Sequence, residues 1–248
     1  LDEELLSEML ETLADPRTAS KTSKSVQTLR GVRGVPSSEV ARVLAAAWQE
    51  QPPHLDHDAG PLGRLFASAW EDGLVAIGLL AAAAPDDPEA AWEIARDWLD
   101  RVDDVATADA LGWMVLGPAI LAGGRPLSAL LDLARHGHVM PRRAACAAGM
   151  AMTPALLEGP SAAALRERVG QRQIRFVEAP QDEALTALCH AFVKDPAPEI
   201  RKALRRLLRV WTKGSPAAVV AWADAVRGGL PRLLGDEVKR ARRKADRG

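Results

Sequence analysis

The segment PEIRKALRRLLRVWTKG, Pro198 to Gly214, combines two regular patterns. Arg201, Arg205, Arg209 and Lys213 step by four, with Lys202 and Arg206 beside them. Ile200, Ala203, Leu204, Leu207, Leu208 and Trp211 recur at the spacing of one helix face. The result is an amphipathic helix whose outer face is almost wholly cationic, with Glu199 alone opposing it at the start. Six guanidinium and ammonium groups on one face suit the phosphates of a nucleic-acid backbone, which they contact without reading bases. The tail EVKRARRKADRG adds Lys239, Arg240, Arg242, Arg243 and Lys244. A second reading of the same charges is pairing with acidic residues of the N-terminal half, around Asp97, Asp100, Asp103 and Asp104.

The charge distribution leaves both readings open. Residues 1–110 hold 9 Lys/Arg against 21 Asp/Glu, residues 111–198 hold 9 against 7, and residues 199–248 hold 14 against 5. These balances of −12, +2 and +9 sum to the net charge of −1. Such a split points to a polyanionic partner or to an internal acid–base arrangement.

Other chemistry has weak local signals. His54, Asp56, His57 and Asp58 lie in QEQPPHLDHDAGP and could ligate a metal, but a solvated surface loop is the better reading of so polar a stretch. The same holds for His136 and His138. Neither GxxxxGK[ST] nor GxGxxG occurs, nor do GxSxG and HExxH, so nothing local supports phosphate-loop, serine-hydrolase or zinc-hydrolase chemistry. Cys146 and Cys189 are far apart and read as buried, reduced thiols.

The elements that must position these residues are all helical. No alternating strand pattern occurs, and about half the 248 residues are apolar, dominated by Ala and Leu. Asp87-Pro88-Glu89, Ser215-Pro216, Pro36-Ser37-Ser38-Glu39 and Pro180-Gln181-Asp182-Glu183 each mark a helix start. The spacing predicts further helices over Glu3–Ala14, Pro61–Glu71, Gly73–Ala84, Ala106–Leu121, Pro126–His136, Pro141–Met152, Ser161–Val169 and Pro231–Lys244. Helices that start about every 18–20 residues pair into units near the ~40 residues of HEAT-like repeats. Hairpins of this kind stack, because each buries its apolar face only against a neighbour. The expectation is an all-α fold, a curved α-solenoid of HEAT-like repeats over residues 1–248, with a frayed basic tail from 236. An irregular helical bundle is the alternative.

The longest uncharged run, Ala110–Gly124, is shorter than the ~20 residues of a membrane span. With no signal segment at the start and few cysteines, the expected setting is cytoplasmic, and the expected state is a monomer with no membrane partner.

Three stretches together resemble the DNA alkylation repair family, AlkD-type glycosylases built from HEAT-like repeats. LRGVRGVPSSEVARVLAAAW (Leu29–Trp48) resembles the entry into the repeat array. WLDRVDDVATADALGWMVLGPAI (Trp98–Ile120) resembles the segment with the W-D-x-V-D-like motif, and LLDLARHGHVMPRRAACAAG (Leu130–Gly149) resembles the one with W-x-x-R-A-A. The resemblance implies excision of cationic alkylated purines from duplex DNA, without metal or cofactor, in association with the bacterial nucleoid. It implies that Asp109 is the carboxylate that stabilises the positive sugar, and that Arg143, with Arg142 beside it, grips the DNA backbone. Val105, Met140 and Arg206 stand where the family carries tryptophans, and Trp113, one turn after Asp109, is the aromatic that could replace one. A cation at 206 repels a cationic base and welcomes a phosphate. Retained DNA binding with weakened or absent excision of small methyl lesions is therefore expected. A catalytically silent DNA-binding protein and a protein-binding scaffold remain the alternatives.

Overall fold

The computed structural model describes residues 1–50, 52–153, 181–226 and 229–247. It contains no strand among these residues. The helices are α1 Glu3–Thr12, α2 Pro16–Val26, α3 Ser37–Glu50, α4 Leu55–Ala67, α5 Trp70–Ala83, α6 Pro88–Leu99 and α7 Val105–Leu111. A π-helical turn, Gly112–Leu116, continues α7 into α8, Gly117–Leu121. Then follow α9 Leu127–Ala134, α10 Val139–Ala151, α11 Gln181–Phe192, α12 Pro198–Gly214, α13 Pro216–Ala225 and α14 Arg232–Ala245. The expected helix at 161–169 lies outside the described residues.

Short side chains set the helix starts. Asp2, Asp15, Asp87 and Asp104 each accept a backbone N–H from the first turn of the helix they precede. Pro16, Pro88, Pro198 and Pro216 occupy first positions, where a missing N–H costs nothing.

The helices stack in two layers as a curved α-solenoid of HEAT-like repeats. In one layer α1 packs on α4, α4 on α6, α9 on α11 and α11 on α13. In the other α3 packs on α5, α5 on α7, α7 on α10, α10 on α12 and α12 on α14. This second layer carries Asp109 on α7, Arg142 and Arg143 on α10, and the cationic residues of α12 and α14. Within it α10 is nearly submerged, with Ala144 to Met150 all buried.

Glycine sets the closest approach in that layer. A Cβ on Gly112 would sit 2.1 Å from the carbonyl oxygen of Ala144, and one on Gly117 would sit 2.7 Å from that of Ala148. Only hydrogen at these positions lets the π-turn and α10 meet backbone to backbone. At the π-turn the N–H of Gly117 bonds to the carbonyl of Gly112, one residue further back than in an α-helix.

Three sequence expectations change. Helix α4 starts at Leu55 and carries Pro61 within it, so the stretch read as a surface loop is largely helical. Leu55, Leu62, Leu65 and Phe66 are all buried along it, and Asp58 accepts the N–H of His54 at 2.8 Å. Those contacts outweigh the hydrogen bond that Pro61 cannot make. Helix α2 has no buried residue and hence no apolar period to reveal it; only Asp15-Pro16 marks its start. Residues 236–245 are not a frayed tail but most of α14, with Glu237, Val238 and Ala241 buried.

The acidic N-terminal half uses its charges locally. Asp72 receives Arg33 Nε at 2.7 Å and Nη2 at 3.1 Å, while Glu71 accepts the N–H groups of Arg33, Gly34 and Val35. Asp104 pairs with Arg30 at 3.0 Å, Asp103 takes Thr28 Oγ1 at 2.8 Å, and Asp97 pairs with Arg96 at 3.0 Å. None of these carboxylates meets the cationic helix among the described residues, which removes the internal-pairing reading for them.

Gly112→Ala is expected to lower the unfolding free energy by about 1–3 kcal/mol, since the added methyl forces α7 and α10 apart. Gly235→Ala, at a helical site with nothing within 4 Å of the added Cβ, is expected to be neutral or to stabilise by up to about 1 kcal/mol. Chemical denaturation of the two variants measures the contrast.

Candidate functional site

Asp109 lies in the second turn of α7, beyond the first turn that Asp104 caps. It is therefore not a first-turn acid placed to oppose the helix dipole. Arg143 reaches it from α10, with Nη2 2.7 Å from Asp109 Oδ2. The other terminal nitrogen of Arg143 donates to the carbonyl oxygen of Glu199 at 2.7 Å. One guanidinium thus joins α7, α10 and the start of α12. Arg143 is only 7% exposed, so its donors serve Asp109 and the Glu199 carbonyl rather than solvent.

Asp109 Oδ2 meets a second cation, Arg206 Nη1 of α12, at 3.6 Å. The Arg206 side chain is 59% exposed, against 19% for Asp109, so this pair is open to water and screened by salt. The other carboxylate oxygen, Asp109 Oδ1, is buried with no hydrogen-bond partner, as is Arg143 Nε. A buried acceptor left without a donor is costly to a fold and common at functional sites. The constellation is a carboxylate with one oxygen engaged by guanidinium groups and one left free.

Trp113 lies in the π-turn, half-buried and packed against the core. Val105 and Met140 are also half-buried. Val105 opens α7, and Met140 lies in the first turn of α10.

Arg142 has a different environment from Arg143. It donates to Asp195 at 2.8 and 3.4 Å, and to the carbonyl oxygens of His136 and Gly137, both at 3.0 Å. Its guanidinium holds the α9–α10 turn to the segment before α12. That occupies the donors a phosphate would need.

The cationic face of α12 divides into three. Arg206 points to Asp109. Arg205 and Arg209 meet the buried carboxylate of Glu237, at 3.1 and 2.8 Å. Arg201, Lys202 and Lys213 are exposed and make no ion pair among the described residues. Sequence reasoning missed Glu237; its only sign is the acidic pair Asp236-Glu237 ahead of a basic run. Asp195 and the Glu199 carbonyl were missed as well, since no spacing rule links them to Arg142 and Arg143.

The described residues contain no cluster of His, Cys, Asp and Glu able to hold a metal ion. Cys146 and Cys189 are buried free thiols, and burial pushes both upward in pKa, so they remain protonated.

Two outcomes follow from these contacts. Arg142→Gln is expected to cost roughly 3–5 kcal/mol of stability, by stranding Asp195, while the affinity for duplex DNA of the folded protein stays unchanged. Denaturation and fluorescence anisotropy separate these effects. For Glu237, burial opposes ionisation, but hydrogen bonds from Arg209 and Arg205 and the charge of Arg240 outweigh it and lower its pKa from the ordinary 4.5. A carboxyl with a lowered folded pKa stabilises above its unfolded value and loses that contribution as pH falls through the folded one. The melting temperature is therefore expected to drop as pH falls below about 4.5, and to drop less in Glu237→Gln.

The comparisons with known proteins agree with the fold. A family model described as DNA alkylation repair enzyme matches residues 6–238. A solved structure titled predicted DNA alkylation repair enzyme from Enterococcus faecalis superimposes with a TM-score of 0.64 at 17% identity, covering 91% of this chain and 95% of that one. No curated protein matches the sequence. No helix among the described residues is long and apolar enough to cross a membrane. With the family model spanning nearly all of α1 to α14, the chain belongs to the DNA alkylation repair enzyme family.

Proposed function

We propose that this protein is a DNA glycosylase that removes purines made cationic by alkylation at N3 or N7 from duplex DNA, acting as a monomer with Asp109 as its carboxylate. The observation that carries the reading is Asp109 itself: oriented by a buried guanidinium at 2.7 Å, with its second oxygen left without a donor. The chemistry asks little else of the protein. The bond from C1′ of the deoxyribose to the base nitrogen breaks, and its electron pair neutralises the positive purine. Positive charge then builds on the sugar, and a carboxylate beside it lowers the barrier. Water adds at C1′ and gives up a proton to the carboxylate or to solvent. Because the base is already cationic while bound and leaves neutral, no acid, metal or cofactor is needed to expel it.

Arg206 sets the limit on this activity. A guanidinium 3.6 Å from Asp109 Oδ2 offsets part of the negative charge that the developing sugar cation needs from the carboxylate. The same contact favours a second reading, in which the protein holds DNA without cutting the glycosidic bond.

Duplex DNA with a single 7-methylguanine, under single-turnover conditions, decides between them. Abasic-site formation by the wild type is expected to fall by about 10²–10³ in Asp109→Asn. Arg206→Gln is expected to raise it by roughly tenfold, the equivalent of about 1.4 kcal/mol of barrier. No excision by either the wild type or Arg206→Gln, with salt-dependent DNA binding retained, would establish the second reading.

A further inference from the structure

We infer that α12 and α14 together form a phosphate-binding ribbon, organised by the buried carboxylate of Glu237, which carries the DNA backbone away from the Asp109 site. The inference rests on the DNA reading above and extends it to a surface that the site does not require.

The geometry starts with Glu237, whose side chain is 1% exposed. Its Oε1 receives Arg205 Nε at 3.1 Å and Arg209 Nη2 at 2.8 Å, and its Oε2 receives Arg240 Nη1 at 2.6 Å. Seven residues further along α14, Lys244 Nζ donates to the carbonyl oxygens of Thr212 and Lys213 at 3.3 and 2.5 Å. Residues advance together on both helices, so α12 and α14 run parallel. Arg205, Arg209 and Lys213 form one ridge at intervals of four, and Arg240 and Lys244 form the other.

Counting charge shows what the arrangement is for. The two ridges carry five cations against one buried carboxylate, which meets only Arg205, Arg209 and Arg240, while Lys244 meets uncharged carbonyls. Stapling two helices needs one pair. Here the arginines stay accessible, with side chains 37%, 48% and 53% exposed for Arg205, Arg209 and Arg240. Glu237 fixes the roots of the guanidinium groups and leaves a surplus of positive charge facing solvent. The eight helical steps from Arg205 to Lys213 extend about 12 Å, at ~1.5 Å each. A single strand of duplex offers three or four phosphates over that length, at about 3.4 Å of axis per charge. Arg206, one residue from the ridge, contacts Asp109, so the ribbon is continuous with the site.

The test is the salt dependence of binding to an undamaged duplex, read by fluorescence anisotropy. The double variant Lys213→Gln/Arg240→Gln removes two ribbon charges and leaves Arg205 and Arg209 on Glu237, which protects the fold. Arg96→Gln/Arg135→Gln makes the same charge change on α6 and the α9 end of the opposite layer. The ribbon variant is expected to lose about 1.8 from the slope of log affinity against log salt, and the control less than about 0.5. A ribbon slope equal to that of the wild type would overturn the inference and leave the DNA reading standing. Absence of salt-dependent binding by the wild type would overturn both. Binding to poly-glutamate as tight as to duplex would also overturn the assignment, by making the surface a general acidic-polymer site.

Discussion

The meeting of the π-turn with α10, backbone against backbone, is the constraint on which the candidate site depends. Gly112 and Gly117 present no side chain to the carbonyl oxygens of Ala144 and Ala148, and the alanine-rich α10 answers with little bulk of its own. Packing this tight fixes both the separation of the two helices and their register. Asp109, just before the turn, therefore comes within hydrogen-bonding distance of Arg143. Buried Arg143 then reaches on to the Glu199 carbonyl and ties the start of α12 to the same point. A methyl group at either glycine would widen the spacing that makes this contact possible.

Charge is organised on the same principle of local settlement. Acidic residues of the first half pin the loop before α3 and the starts of α5 and α7, through Arg30 and Arg33. Asp195 similarly absorbs Arg142. What is left over lies on α12 and α14, where one buried carboxylate faces three arginines. The net charge near zero is thus the sum of an acidic end, −12 over residues 1–110, and a cationic one, +9 over residues 199–248. Only the second has charge to offer a polyanion.

Arg206 links the two themes. It belongs to the cationic face by sequence and to the carboxylate by position. Its guanidinium lies 3.6 Å from Asp109 Oδ2 and is open to solvent. In the proposed glycosylase reading, a DNA backbone that drew the guanidinium away would leave the carboxylate to the sugar.

The helical periods of α12 and α6, the proline and Asp starts, and the charge split were all legible in the sequence, because they are local patterns that packing did not need to override. Residues in the DNA alkylation repair pattern were legible too, and led to Asp109 and Arg143. The partners of the charges were not. Arg142 and Arg143 are neighbours of one type, yet one settles on Asp195 and the other on Asp109, 53 and 34 residues away. Arg201 and Arg205 share a helix face by spacing, yet one stays free of ion pairs among the described residues and the other meets Glu237. Most helical segments, and the charge each carries, are local properties of propensity and composition and so were readable, whereas α2 and the first turns of α4 were not. Which charges remain available depends on packing, because the approach of α7, α10, α12 and α14 chooses the partner for each.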